Sequence, residues 1–370
     1  MIIPETAVTL KDGTKVILRS PQRRDAAQLN EYLRLTSGET HYMVRYPEEC
    51  DRTLEAAQKR LWAVTDHERS FMLAAFLDGE LVGNCGINAM SDHFKMRHRA
   101  SLGISIKKKA WGLGLGKLLM EKALEQHQFQ VYYQPVVSAK TGRVISAEAL
   151  IRWKKPDRGI ISPDKFIPAL EKYGYVTALD RYVLDEVADY LRNRVDEEKQ
   201  IIPISVNLSR VDFYDKDEVD DFYKCLEKQI LPKGSIRYEI TETSYTTLEE
   251  KLESFIRDIR ERGHQIYLDD FGSGYSSFGM IQNYDFDVLK IDMSFIRQIE
   301  KNGKVRKIIR TIISMCHDMG IEAVAEGVET KEELEFLRDN DCDYIQGYYF
   351  SRPLCYEDFE KYLEKNMCDE

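Results

Sequence analysis

From residue 129 onward, eight short apolar runs alternate with longer amphipathic segments, and this alternation most constrains the fold. Short runs rich in β-branched and aromatic residues predict strands, whereas segments with apolar residues every three to four positions predict helices. Eight strand–helix units are the number that closes a (β/α)8 barrel. The predicted strands cover residues 131–135, 145–153, 202–209, 236–242, 265–272, 288–292, 322–329 and 344–350.

Polar or charged side chains lie near the carboxyl ends of seven of these runs. Because the carboxyl ends of barrel strands meet at one mouth, we expect these side chains to converge. A carboxylate at the end of a strand is also a common helix N-cap, but a cluster of carboxylates repels itself unless cations neutralise it. The set comprises Glu148, Asn207, Glu239, Asp269, Asp270, Lys290, Glu326 and Gln346.

The ligand types in this set favour a hard divalent ion. Oxygen ligands without cysteine or imidazole predict Mg²⁺ or Mn²⁺, and the chain has no CxxC or HExxH motif that would indicate zinc. Asp269 and Asp270 are adjacent, so a bulge or turn must bring both to one site. Such a pair suits two-metal hydrolysis of a phosphodiester. In that reaction Lys290 would steady the attacking hydroxide or the phosphoryl charge, and Glu326 would accept a proton or hold a metal-bound water.

Charge is distributed unevenly along the chain. Residues 1–126 carry 19 Lys+Arg against 16 Asp+Glu, whereas residues 127–370 carry 34 against 47. The acidic second part argues against a nucleic-acid polymer as partner and suits a site that gathers cations, although exposed acidic helices would give the same total. The sequence has neither an apolar stretch long enough for a membrane span nor the pattern of a signal peptide, so we expect a cytoplasmic protein.

Residues 128 to about 365 resemble the EAL domain, a family of cyclic di-GMP phosphodiesterases. The resemblance implies an α/β fold, a TIM-like (β/α)8 barrel in which the first strand runs against the others. It also implies hydrolysis of cyclic di-GMP to linear pGpG and a homodimer formed through the EAL domain. A cyclic di-GMP receptor without turnover is the alternative. The motifs that carry the resemblance are, in chain order, "YYQP", "AEALIRW", "SVNLS", "YEITET", "LDDFGSGYSS", "LKIDMSFI", "AVAEGVET" and "IQGYYFSRPL".

The resemblance also implies a role for each matching residue. The first metal ion would be held by Glu148, Asn207, Glu239 and Asp269, and the second by Asp269 and Asp270. Catalytic water would be held or oriented by Lys290, Glu326 and Gln346. The cyclic dinucleotide would be contacted by Gln134, Leu150 and Arg152. Glu242 would steady the loop that follows the fifth strand.

Residues 1–126 predict a smaller α+β domain. Hairpin turns are expected at Asp12-Gly13 and Asp78-Gly79, with a helix over residues 23–37 and a further strand over residues 99–106. The segment "WGLGLG" then places glycines immediately before a helix, where unpaired backbone N–H groups receive phosphate; a loop with unusual backbone angles would also select glycines. These glycines are Gly112, Gly114 and Gly116.

This first part resembles the beginning of the GNAT superfamily of acetyl-CoA-dependent N-acetyltransferases. The resemblance implies that the glycine loop grips the pyrophosphate of coenzyme A, although Trp111 replaces the usual glutamine or arginine. The later GNAT strands are missing, because the helix leads directly into "ALEQHQFQVYYQP". We therefore predict a partial GNAT-like domain over residues 1–126 and an EAL barrel over residues 127–370, with the seam near residues 121–128.

The partial GNAT-like domain is expected to act as a scaffold or sensor rather than as an acetyltransferase. A bifunctional protein with acetyl-CoA as a second cofactor is the alternative, supported by the glycine loop and weakened by the missing strands. A natural truncation and an artificial join would produce the same sequence.

Overall fold

Two separate sheets organise the chain. A computed structural model describes residues 2–10, 12–40, 46–50, 53–65, 71–89, 100–124, 129–155, 159–172, 176–209, 231–241, 249–272 and 277–367. One sheet has five strands and the other has nine. The chain divides into two compact units, Met1–Phe129 with Arg152–Phe166, and Gln130–Ile151 with Ile167–Glu370.

The first sheet is antiparallel, and its strands follow one another in chain order. Both predicted hairpins are confirmed: Gly13 has φ of 87°, and Asp78 and Gly79 have φ of 49° and 79°. Two successive residues with positive φ form the tight turn that matches the twist of paired strands. The strands are β1 (Thr6–Thr9), β2 (Lys15–Arg19), β3 (Phe71–Leu77), β4 (Glu80–Ala89) and β5 (Ala100–Ile106).

Helices cover this sheet and supply its core. Tyr32 of α1 and Leu61 of α2 lie in one buried cluster with Phe76 of β3. The third helix contacts β4 closely, since a Cβ at Gly83 would lie 3.0 Å from the Leu119 side chain. The predicted helix over residues 23–37 is confirmed as α1 with a short 3₁₀ turn before it. The helices are α1 (Ala26–Glu39), α2 (Leu54–Thr65) and α3 (Leu115–Leu124).

The second sheet closes into the predicted eight-stranded barrel, because β6 pairs with both β14 and β7. β6 runs antiparallel to β14, whereas the strands from β7 and β9 around to β14 pair in parallel. The expected reversal of the first strand is thus confirmed. The strands are β6 (Phe129–Ser138), β7 (Val144–Lys155), β8 (Gly159–Ile161), β9 (Ile204–Leu208), β10 (Ile236–Thr241), β11 (Gln265–Phe271), β12 (Val288–Ile291), β13 (Glu322–Glu326) and β14 (Tyr344–Gln346).

All eight predicted barrel strands are present, and β8 is an additional short strand paired antiparallel to β7. None of the helices in the described part of the chain is long and apolar enough to cross a membrane. The helices that follow the strands are α4 (Ile167–Lys172), α5 (Val176–Asp196), α6 (Glu249–Glu261), α7 (Ser277–Asn283), α8 (Met293–Ile296), α9 (Gly303–Asp318), α10 (Lys331–Asp339) and α11 (Tyr356–Asn366).

The junction between the two sheets follows the predicted order. The helix α3 ends at Leu124 and the first barrel strand begins at Phe129. Within the described ranges, the five-stranded sheet receives no strand after α3. The predicted boundary between residues 126 and 127 lies outside the described residues and stays a prediction.

Candidate active site

The two-residue period of the barrel strands places a polar layer above an apolar one. Tyr267, Val288 and Val324 belong to one buried cluster in the barrel. Because alternate residues of a strand point to the same face, the residues two positions later also face inward. These residues are Asp269, Lys290 and Glu326, and contacts between their side chains confirm the arrangement.

Strand register brings further predicted residues together in pairs. Glu239 of β10 lies opposite Asn207 of β9, and Glu326 of β13 lies opposite Gln346 of β14. All four stand at or near the carboxyl ends of their strands. The sequence prediction that polar side chains converge at the carboxyl end of the barrel therefore holds for these strands.

Lys290 is the centre of the polar layer. Its side chain is 2% exposed, and its Nζ lies 2.5 Å from Glu239 Oε2, 2.7 Å from Glu326 Oε1, 3.1 Å from Asp269 Oδ1 and 3.3 Å from Glu148 Oε2. An ammonium group has three N–H donors and one positive charge, so it cannot neutralise four carboxylates. The cluster therefore carries an excess of negative charge when all four carboxylates are ionised.

Hydrogen bonds orient Glu148 within this cluster. Asn207 Nδ2 donates to Glu148 Oε1 at 2.8 Å, and Gln346 Nε2 donates to Glu148 Oε2 at 2.6 Å. Gln346 Nε2 also lies 3.2 Å from Gln134 Oε1, while Gln134 Nε2 donates to the Ser351 carbonyl at 3.2 Å. Gln134, Glu148, Asn207 and Gln346 are thus joined in one network, three of them buried and Asn207 half-buried.

A backbone irregularity brings the adjacent aspartates to the same site. The register between β11 and β12 shifts between Leu268 and Phe271, and Asp270 has φ of 57°. The Asp270 N–H donates to Asp269 Oδ1 at 2.9 Å. Carboxylate oxygens of Asp269, Asp270 and Glu326 all lie within 4.8 Å of one another. The required bulge is therefore present, at a left-handed conformation that aspartate tolerates better than most residues.

Burial and mutual repulsion shift the pKa values of the carboxyl groups. Burial and then the charge of Glu148 raise the pKa of Glu239 to about 8, and burial with the charge of Asp269 raises the pKa of Asp270 to about 6. Burial also raises the pKa of Asp269 and raises that of Glu326 well above its ordinary value. Crowded, desolvated carboxylates take up protons when no cation compensates them.

Glu148 and Lys290 are shifted toward their charged forms. Burial opposes ionisation of Glu148, but Lys290 and the hydrogen bonds from Gln346 and Asn207 hold the pKa of Glu148 below its ordinary value. Burial likewise opposes the charge on Lys290, and the surrounding carboxylates overcome it and raise the pKa of Lys290 well above its ordinary value. Lys290 therefore remains an ammonium group.

The donor set fits divalent cations. The five carboxylates of Glu148, Glu239, Asp269, Asp270 and Glu326 and the single ammonium of Lys290 leave a formal charge of −4 when all are ionised. Two divalent ions would balance this charge, and carboxylate and amide oxygens are ligands that Mg²⁺ and Mn²⁺ accept. The buried Oε1 of Gln346 also has no hydrogen-bond partner among the described residues, so it can accept one from a bound group.

The remaining predicted residues lie elsewhere or outside the described ranges. Leu150 and Arg152 are half-buried in β7, and their contacts with a substrate stay predictions. Glu242 lies outside the described residues. In the first part of the chain, Gly112 and Gly114 precede α3 with φ of 77° and 76°, and Gly116 lies in its first turn. The positive φ values of Gly112 and Gly114 are the backbone conformation that selects glycine.

Two carboxylates beside the carboxyl ends of barrel strands were missed by the sequence prediction. Asp292 caps α8 by accepting from the Ser294 N–H at 2.9 Å, and its charge contributes to the raised pKa of Asp270. Asp180 of α5 accepts from the Ser209 N–H at 3.0 Å, just beyond the end of β9. The position of Asp292 directly after a strand was a usable signal for the first. No local pattern identifies Asp180, because its partner is 29 residues away.

Together these features define a (β/α)8 barrel protein with an acidic cluster at its mouth that could hold metal ions. Comparison with known proteins identifies the family: residues 119–353 match the model described as "EAL domain". The chain belongs to the EAL domain family. Residues 15–141 match the model described as "Acetyltransferase (GNAT) domain", which confirms the second resemblance.

Similar curated proteins include a "Cyclic di-GMP phosphodiesterase NbdA" of Pseudomonas aeruginosa, 34% identical over 250 residues, covering 68% of this chain and 32% of that protein. A "Probable cyclic di-GMP phosphodiesterase PdeG" of Escherichia coli is 31% identical over 245 residues, covering 66% and 48%. The aligned part of this chain thus covers about a third of the length of the first relative and about half of the length of the second.

Solved structures with the same fold have sequence identities to this chain close to those of the two relatives. The structure described as "PaMucR Phosphodiesterase, c-di-GMP complex" is 32% identical with a TM-score of 0.61, covering 65% of this chain and 97% of that one. An "EAL domain Protein from Listeria monocytogenes EGD-e" is 30% identical with a TM-score of 0.58, covering 66% and 96%. Both matches span almost the whole of the solved chain.

Proposed function

We propose that this protein hydrolyses cyclic di-GMP to linear pGpG in bacterial second-messenger signalling, using two Mg²⁺ or Mn²⁺ ions. The observation that carries the proposal is the gathering of carboxylates around buried Lys290 at the barrel mouth. The names of the relatives support it, as does a similar structure described as a cyclic di-GMP complex. In the reaction, a water oxygen bonds to one phosphorus and the bond from that phosphorus to the ribose 3′ oxygen breaks.

The metal-binding residues are proposed from the family resemblance and from the geometry. One ion would be held by Glu148, Asn207, Glu239 and Asp269, and the other by Asp269 with Asp270. Bound ions would supply Lewis-acid stabilisation of the phosphoryl oxygens and would make the attacking water more acidic.

The other residues would orient and exchange protons. Lys290, the ammonium group at the centre of the cluster, would steady the attacking water or the phosphoryl charge. Glu326, 2.7 Å from Lys290 Nζ, would accept a proton from the water. Gln346 would orient the same water through its Oε1, which has no hydrogen-bond partner in the described part of the chain. Gln134, Leu150 and Arg152 would contact the dinucleotide. Glu242 would steady the loop after β11.

The test is product analysis by chromatography after incubation of the purified protein with cyclic di-GMP. We expect pGpG with Mg²⁺ or Mn²⁺ and none with a chelator. Metal-independent product would contradict the two-metal mechanism. Binding of cyclic di-GMP without any product would instead identify a receptor.

For the first part of the chain we propose a scaffold or sensor without acetyl transfer. The exposed glycines before α3 and the match to the GNAT model are what favour coenzyme A binding. A calorimetric titration with acetyl-CoA separates the two possibilities, and saturable binding would favour the bifunctional alternative.

We also propose a homodimer formed through the EAL domain and a cytoplasmic location. Sedimentation of the purified protein tests the homodimer, and fractionation of cells tests the location.

A further inference from the structure

Three glycines beside the acidic cluster have no room for a side chain. A Cβ at Gly272 would lie 2.3 Å from Phe295 Cε2, and a Cβ at Gly327 would lie 2.5 Å from Met293 Cβ. A Cβ at Gly347 would lie 2.2 Å from the Val328 carbonyl oxygen. The backbone at each glycine is therefore in direct contact with the neighbouring element. Gly272 follows the Asp269–Asp270 pair by two residues, and Gly327 directly follows Glu326.

The short helix α8 makes two of these three contacts. Its half-buried Phe295 lies against the segment after β11, and its half-buried Met293 lies against the segment after β13. The strands that these segments follow, β11 and β13, carry the three carboxylates whose oxygens lie within 4.8 Å of one another. The helix therefore contacts the chain beside both parts of this carboxylate group, and we call it the spacer.

The spacer is itself fixed to the barrel. Ile296 is fully buried, and Asp292 caps the helix by accepting from the Ser294 N–H. The Asp292 N–H points back to the Phe271 carbonyl at 3.4 Å. Since the helix cannot shift freely, the contacts of Met293 and Phe295 are transmitted to the segments they touch. When the aspartates and Glu326 are ionised they repel each other, so keeping them at a fixed short distance needs contacts that hold both strands in place.

We propose that Met293 and Phe295 are positioning residues that set the distance between the Asp269–Asp270 pair and Glu326, and thereby the affinity of the site for divalent cations. The proposal rests on the proposed metal-dependent function. Divalent ions hold oxygen ligands at about 2.0–2.6 Å, so displacement of one segment by a fraction of an ångström alters their binding. Residues that support metal ligands typically change affinity by about 10–100-fold when removed.

The test is a calorimetric titration of the metal-free protein with Mn²⁺. We expect Phe295→Ala and Met293→Gly each to weaken Mn²⁺ binding by about tenfold or more. Glycine is used at position 293 because the Met293 atom that a Cβ added at Gly327 would approach most closely is its Cβ, which alanine would retain. Phe295→Leu, which keeps an apolar side chain of similar reach, should recover most of the affinity. Ser294→Ala changes the exposed side chain between them and should bind Mn²⁺ like the wild type. Unfolding midpoints in chelator establish that each variant is folded.

A pair of variants tests the contact itself. Gly272→Ala inserts a methyl group against the Phe295 ring. We expect this variant to bind Mn²⁺ more weakly than the wild type, both because of this contact and because alanine strains the backbone there. Adding Phe295→Ala removes the ring, so the double variant should lose less affinity than the two single losses multiplied together. Independent, multiplicative losses would show that the contact does not transmit the effect.

Turnover distinguishes this proposal from the proposed function. At saturating Mn²⁺, Phe295→Ala should regain most of its kcat with an unchanged KM for cyclic di-GMP, because only the metal affinity is altered. A folded Phe295→Ala protein that binds Mn²⁺ like the wild type would overturn the role of α8. A wild type that binds Mn²⁺ but makes no pGpG would overturn the proposed function and leave the metal titrations interpretable.

Discussion

At the scale of single residues, Glu148 links the network most directly to the proposed chemistry. It accepts hydrogen bonds from Asn207 and Gln346 and lies 3.3 Å from Lys290. We expect Glu148→Ala to reduce turnover by more than about a hundredfold, the upper range for residues that only support a metal ligand. Chromatographic measurement of pGpG formation checks this. Glu364→Ala, at an exposed position of α11, is the control, and full activity in Glu148→Ala would refute the site assignment.

Lys290 provides a second prediction, which concerns stability. It is a buried cation that faces the buried carboxylates of Glu148, Glu239 and Asp269 and the half-buried one of Glu326, and removing one partner of a buried ion pair costs about 3–5 kcal/mol. We therefore expect Lys290→Met to lower the free energy of unfolding by about 3 kcal/mol or more in chelator. Divalent cations should recover much of this loss because they neutralise the same carboxylates.

Urea unfolding in chelator and in Mn²⁺ measures both effects of Lys290→Met. The control is Lys331→Met, because the exposed pair of Lys331 with Glu335 in α10 contributes at most about 1 kcal/mol. Equal losses for Lys290→Met in chelator and in Mn²⁺ would contradict the proposed compensation of charge.

At the scale of elements, the glycines after β13 and β14 hold neighbouring segments in contact. A methyl group at Gly347 would meet the Val328 backbone, which cannot rotate away as a side chain can. We expect Gly347→Ala to cost about 3 kcal/mol of unfolding free energy, the upper range for overpacking. Thermal unfolding measures the loss. Gly303→Ala is the control because nothing lies within 4 Å of its added Cβ, and similar stability of the two variants would show that the contact yields easily.

The barrel strands could be predicted because their information is local. Short runs such as residues 288–292 and 322–329 combine apolar residues with polar residues near their carboxyl ends. The structure confirms the two-residue period that places Lys290 and Glu326 on the inner face. The strands end earlier than predicted, at Ile291 and Glu326, because residues such as Asp292 begin the turns that follow. Strand existence is thus easier to predict than strand ends.

Other features of the site could not be predicted, because they depend on contacts between distant segments. The spacer role of α8 depends on Met293 approaching Gly327, 34 positions along the chain. The central position of Lys290 among four carboxylates depends on side chains from four other strands. The sequence motif indicated that Lys290 is functional, but only the barrel geometry reveals which groups share its charge.

At the scale of the whole molecule, the glycine loop before α3 belongs to the first unit and the acidic cluster to the second. If the first part is a scaffold or sensor, Gly114→Glu should leave turnover of cyclic di-GMP unchanged at saturating substrate. Gly114 has φ of 76°, so Gly114→Ala controls for backbone strain without adding charge. Steady-state assays of both variants make the measurement. A large loss in Gly114→Glu alone would show that an occupied or anion-binding loop matters to hydrolysis.

The stability of the whole molecule should depend on pH and metal together. The raised pKa values of Glu239, about 8, and Asp270, about 6, mean that the metal-free folded protein retains protons that the unfolded chain releases near pH 4–5. Raising the pH therefore favours the unfolded chain through these groups. Cations compete with the same protons, so stabilisation by Mg²⁺ should grow between pH 5 and pH 8. Unfolding midpoints with Mg²⁺ and with chelator, compared at each pH, isolate this effect from all other titrating groups. A metal-induced shift that stays constant across this range would mean that protons and cations do not share the acidic cluster.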